Sequence, residues 1–99
     1  MSDNFKWVIS HIERTTDVRH LVTAIHWRYQ LQKGNAVVDE YGDYPMPPQS
    51  LMHADGATKS DYVSVLEDAI DFPSLQERLR KRMHTVLHPM TELIPGPVA

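Results

Sequence analysis

The sequence predicts a small α+β fold, in which an antiparallel three-stranded meander (β-β-β) is followed by two helices packed on one face. Three observations predict it. Apolar and polar residues alternate through the first forty positions, a glycine turn sits between two alternating runs, and the apolar spacing changes to a helical period after residue 60. A lone sheet of three strands is not stable without a covering layer, so the helices are assigned to one of its faces.

The first strand starts at Phe5, with Phe5, Trp7, Ile9 and His11 expected on one face. Val8 and Ile12 are apolar on the other face, so the centre of this strand is expected to be covered on both sides. Thr15-Thr16-Asp17 is turn chemistry, because these short polar side chains bond the nearby backbone. Residues 21–31 alternate most regularly. Leu21, Thr23, Ile25, Trp27, Tyr29 and Leu31 share one face, and Val22, Ala24, His26, Arg28 and Gln30 share the other. Lys33-Gly34-Asn35 turns the chain, since glycine reaches positive φ at no steric cost. A shorter third strand runs from Ala36 to Tyr41 and is expected to stop at Gly42 and "YPMPP", because proline donates nothing to a sheet ladder.

Residues 42–59 form a long connection, with a short strand expected around Ser50 to Met52. Ser60 then caps a helix with Asp61 in its first turn and Tyr62, Val63, Leu66, Ala69 and Ile70 as its apolar stripe. Pro73 opens a second helix, whose buried stripe is Leu75, Leu79, Met83 and Val86 or Leu87. Pro89 ends it near His88. Residues 1–90 thus make a single α+β domain, and residues 91–99 an extended or flexible tail.

The totals limit the function classes. A chain of 99 residues has a real core and a net stability on the order of 5–10 kcal/mol. A net charge of −3 argues against a general nucleic-acid binder. Without cysteine there are no disulfides, thiolate nucleophiles or cysteine-ligated zinc sites. The N-terminal residues do not read as a secretory leader, and no segment approaches the roughly 20 apolar residues of a membrane span. A protein kept in a reducing cytoplasm is expected.

The triplet His26-Trp27-Arg28 looks like a reactive cluster, but a strand sends Trp27 to one face and its two neighbours to the other. Trp27 is therefore read as core. His26 and Arg28 are read as pairing with Asp39 or Glu40 of the next strand, an interaction of roughly 0.2–1 kcal/mol. His84 and His88 have the spacing of two ligands on a helix, yet only His53 or Glu92 could complete a metal set, so no metal and no cofactor are expected. "RLRKRMH" spreads Arg78, Arg80, Lys81 and Arg82 around its helix and is read as a solvated face. The acids gather upstream, at Asp39, Glu40, Asp43, Asp55, Asp61, Glu67, Asp68 and Asp71, which favours acid-to-base docking between molecules. Phosphate-binding glycine loops, a nucleophile elbow and the metalloprotease His-Glu pattern are missing, and catalysis is not expected.

"WVISHIER", "LVTAIHWRY", a glycine turn, "DEYG" and "DYVSVLEDAIDFPSLQERLRKRM" follow one another in an order that resembles a family of short, uncharacterised tailed-bacteriophage proteins. The matching positions are Val22, His26, Trp27, Arg28, Tyr41, Gly42, Tyr62, Val63, Leu66, Leu75, Glu77 and Leu79, within residues 6–83. The chain departs from that pattern after Gly42, where "DYPMPP" replaces a smooth strand. The resemblance implies a phage origin and the same β-β-β-α-α layout, and no activity. It directs the expectation to a non-enzymatic virion structural or assembly component (a neck, tail, baseplate or head accessory subunit). Such a subunit would sit in the virion, or in the host cytoplasm during assembly, and contact other virion proteins or copies of itself. A small phage-encoded inhibitor or regulator of a host protein is the alternative, and a nucleic-acid module using the basic helix ranks third. The residues expected to meet a partner are Tyr44, Pro45, Met46, Pro47, Pro48, Leu51 and Met52 in the long connection, and Leu93, Ile94, Pro95 and Val98 in the tail. They are apolar residues in segments without regular structure, which either fold back over the sheet or cover a neighbour.

Overall fold

A computed structural model of the chain describes residues 4–88 and 94–97. Its elements follow the expected order. Strands β1 (Asn4–Arg14), β2 (Val22–Lys33) and β3 (Ala36–Pro45) form one antiparallel sheet in the order β1-β2-β3, and helices α1 (Lys59–Ala69) and α2 (Phe72–Leu87) come after it. A short 3-10 turn at Pro48–Ser50 and an isolated bridge between Leu21 and His53 take the place of the strand expected around Ser50 to Met52.

One face of the sheet carries the core. Ile25, Trp27, Tyr29 and Leu31 of β2 are buried on it between Trp7 of β1 and Val38 of β3. Helix α1 lies toward β1, and α2 crosses β2 and β3. From the helices come Tyr62 and Leu66, then Leu75, Leu79 and Met83, the last four at or near zero exposure. Burying five such side chains at about 1.5–3 kcal/mol each is the main force joining helices to sheet. Polar atoms at this seam find partners: the Trp7 indole donates to Glu67 at 3.3 Å, and Gln76 donates to the Tyr29 hydroxyl at 2.9 Å.

Regular alternation fails at two places, and each failure changes which face a side chain occupies. β1 slips by one residue between Ile9 and His11, leaving Ser10 unpaired. Beyond it His11 lies opposite His26, away from the helices, and Ile12 lies opposite Ile25 on the core side. The expectation that His11 shares a face with Phe5, Trp7 and Ile9 is thereby corrected, because a bulge residue resets the period of two. A second slip pairs Glu13 with Ala24 and Arg14 with Val22, bypassing Thr23. Val22 is fully buried as a result, whereas Thr23 is exposed and Leu21 pairs outside the strand.

β3 also outruns its expected end. Pairing continues through Gly42, Asp43 and Tyr44 to Pro45, which faces Ala24. Proline is tolerated there because β3 is an edge strand. Gly42 is required by contact: a β-carbon on it would lie 2.8 Å from Cζ2 of Trp27. Gly34, at φ 58°, opens the two-residue turn before β3.

The cap of α1 is Thr58 rather than Ser60. Its hydroxyl accepts from the Asp61 amide at 3.3 Å, and the Asp61 carboxylate accepts from the Thr58 amide at 2.8 Å. This reciprocal arrangement satisfies two amide donors where Ser60, one residue inside the helix, satisfies none. α2 is capped by Asp71, which accepts from the Ser74 amide and hydroxyl. Its apolar stripe ends at Met83, since Val86 and Leu87 are 53% and 44% exposed.

Candidate functional site: the open face of the sheet

Among the described residues, the helices cover one face of the sheet and leave the other open. Register sets the open face out in cross-strand rows. Lys6, Gln30 and Asp39 form one; Val8, Arg28 and Tyr41 the next; then His11, His26 and Asp43; and last Glu13, Ala24 and Pro45. Tyr41 is 75% exposed and Val37, two rows away on the same strand face, 51%.

The triplet His26-Trp27-Arg28 divides as its strand geometry demands, with Trp27 in the core and its neighbours on the open face. Arg28 reaches Asp39 at 3.5 Å, one of its two expected partners. His26 takes neither. Its ring stacks on His11 with centroids 4.0 Å apart and planes 20° from parallel, and its Nε2 lies 3.2 Å from Glu13. That approach is close enough for an ion pair but not aligned as a hydrogen bond. Sequence reasoning missed this cluster because it rests on the bulge at Ser10, which β1 marks with no glycine and only a lone serine.

Glu40 belongs to the opposite face. Arg78 donates to it at 2.8 and 3.3 Å and Arg82 lies 3.5 Å away. The Arg78 hydrogen bond holds the Glu40 carboxyl below its usual range and raises Arg78 in turn. Arg82 also donates to the Asp39 backbone carbonyl. Lys81 stands 4.0 Å from Glu77, and Arg80 lies 5.1 Å over the Phe5 ring. The helix read as a solvated basic face therefore turns two of its arginines onto the sheet, where both meet the Glu40 carboxylate of the upstream acidic block.

The histidines of the second helix and of the long connection are not grouped as metal ligands. His84 and His88 are neighbours with ring centroids 4.9 Å apart, while His53 faces the Arg19 carbonyl at 3.0 Å. Glu92 lies outside the described residues. Among the described residues no three His, Asp or Glu side chains are grouped to hold a metal ion, and no helix is long and apolar enough to cross a membrane.

The long connection folds back on the body. Met46 is 8% exposed and belongs to the core, and Tyr44, Leu51 and Met52 pack against it. Backbone bonds hold the segment down: Met46 donates to Thr23, Val22 to Met52 and Ala54 to His20, at 2.9, 2.7 and 2.8 Å. Pro47 is half-buried, while Pro45 and Pro48 are exposed. Tyr44, Met46 and Pro47 also line an open hollow of about 340 Å³ against Val65 and Ala69 of α1. In the tail, Ile94 is 75% exposed and Pro95 is exposed, and Leu93 and Val98 lie outside the described residues.

At the end of the sheet near the β1–β2 connection, His20 sits at φ 45° with Nδ1 3.1 and 3.2 Å from the two Asp55 oxygens. Arg14 joins the same carboxylate at 3.5 Å. Asp17 accepts from Arg19 and Thr15, and these hydrogen bonds, Arg19's first, lower its pKa to about 2. These contacts fix the loop that carries the chain from β1 to β2.

The chain matches the family model described as "Domain of unknown function (DUF7936)" over residues 2–94, and it belongs to that family. No curated protein and no solved structure matches it.

Proposed function

We propose that this member of the family is a non-enzymatic structural or assembly component of a tailed-phage particle, working through protein–protein contacts made by the open face of its sheet. The observation that carries the reading is the uncovered face itself. Val37 and Tyr41 stand in water there, on a face that also holds the Arg28–Asp39 ion pair and the stacked His11 and His26 rings. A pre-ordered face of this kind loses little side-chain entropy on docking, and an exposed tyrosine supplies contact area with a polar tip. The phage setting is supported by the sequence resemblance, whose His26-Trp27-Arg28 and Tyr41-Gly42 positions lie on two of the three strands that build this face. The long connection contributes mostly from within, with Asp43 and Pro45 at its start on the open face.

Mass spectrometry of purified particles from a phage encoding this chain tests the proposal. The chain is expected at a fixed copy number, and Tyr41→Lys is expected to fold and yet be left out of the particle. Absence of the wild-type chain from complete particles overturns the reading.

A further inference from the structure

We infer that the free edge of β1 pairs antiparallel with β1 of a second copy, joining two three-stranded sheets into one of six strands. The inference rests on reading the chain as an interaction protein and names its first partner as itself. β1 and β3 are the two edges of the sheet. An edge strand exposes a row of backbone donors and acceptors that a further strand can complete. The edges are not equivalent. On β3 the Asp39 carbonyl already accepts from Arg82 of α2. Reversing β3 on itself about Tyr41 would also set Asp39 opposite Asp43 of the other copy, and like charges directly opposite oppose pairing.

β1 is self-complementary when reversed. With a two-fold axis between Ile9 and Ser10, Lys6 falls opposite Glu13 of the second copy, Val8 opposite His11, Trp7 opposite Ile12 and Phe5 opposite Arg14. In a regular strand these odd-and-even pairs would put opposite faces together. The bulge at Ser10 reverses the alternation, so Lys6, Val8, His11 and Glu13 all lie on the open face while Trp7 and Ile12 both lie on the core face. Two-fold symmetry makes each pair twice, giving two Lys6–Glu13 ion pairs. Both side chains are available: Lys6 is exposed, and the Glu13 side chain is 60% exposed beside His26. The pairing also extends the open face proposed as the docking surface across both copies.

Sedimentation velocity of the full chain over roughly 1–500 µM, the span of modest affinities, tests the pairing. A reversible dimer is expected. Lys6→Glu and Glu13→Lys should each weaken it roughly tenfold or more, since both pairs become like-charged. The double variant Lys6→Glu/Glu13→Lys should restore it. Circular dichroism checks the fold of each variant, and Lys6→Glu, at an exposed site, carries the test if Glu13→Lys fails to fold. Hydrogen exchange should slow at β1 amides as concentration rises. A monomer across the whole range overturns the inference, as do a dimer indifferent to Lys6→Glu and a double variant without rescue. A chain absent from phage particles that still dimerises overturns the particle role alone, and a monomeric chain found in particles overturns the pairing alone.

Discussion

Gly42 lies directly across the β2–β3 ladder from Trp27, and its bare α-carbon is the floor on which the buried indole rests. Gly42→Ala is expected to cost about 1–3 kcal/mol, the cost of overpacking a filled core. Urea unfolding followed by tryptophan fluorescence measures it. An unchanged midpoint would mean that Trp27 moves aside freely, contrary to its packing edge-on against Trp7 at 5.6 Å.

Glu40 links sheet to helix through Arg78 and Arg82. Its folded pKa lies below the usual 4.5, with the Arg78 hydrogen bond as the leading cause. A depressed carboxylate stabilises the fold above its unfolded pKa, and that contribution is lost as pH falls through the folded value. Glu40→Gln is therefore expected to cost about 0.5–1 kcal/mol at neutral pH, the scale of partly exposed ion pairs. The gap from wild type should close on acidification below 4.5. Denaturation across a pH series checks this, and a gap that persists in acid would remove Glu40 as its source.

The capping assignment separates two neighbouring hydroxyls. Thr58→Ala is expected to destabilise by about 1 kcal/mol, while Ser60→Ala should stay within a few tenths of wild type. Thermal melts of the two variants side by side decide it. A reversed order would put the start of α1 two residues later than described.

Met46 and Tyr41 make a similar contrast on β3 and just beyond it. Met46→Ala is expected to cost about 2–4 kcal/mol because it empties part of the core. Tyr41→Ser, at an exposed position, should leave stability within about 0.5 kcal/mol. Equilibrium unfolding of both variants tests whether the start of the long connection is structural while the open sheet face is free for docking.

The comparison of these sites shows what patterning could carry. The alternation from Ile25 to Leu31 and the spacing of Leu75, Leu79 and Met83 report burial directly, because each side chain's face follows from its position in a period. Ser10 and Thr23 break that rule. Each is an ordinary strand residue in sequence, and each is bypassed only because two strands of unequal course must share one ladder. Gly42 reads as a terminator in isolation, and its role depends on a tryptophan fifteen positions earlier in the chain. Met46 stands among prolines with no period to reveal it, yet backbone bonds to Thr23 draw it inward. The His11–His26–Glu13 group required both the register and the bulge, and neither is written in residue type. The partners of Arg78 and Arg82 lie some forty positions away, beyond the reach of any local pattern.

Ser10 also makes β1 a strand of two halves. Up to Ile9 the even positions look outward, and from His11 the odd ones do, so one face gathers Lys6, Val8, His11 and Glu13 from both parities. Were this single serine to take a regular place in the ladder, composition and charge would be unchanged but the downstream tetrapeptide would trade sides. Ile12 would meet solvent and Glu13 the oily interior, and a mirror-reading strand would lose the offset that lets it recognise its own reverse.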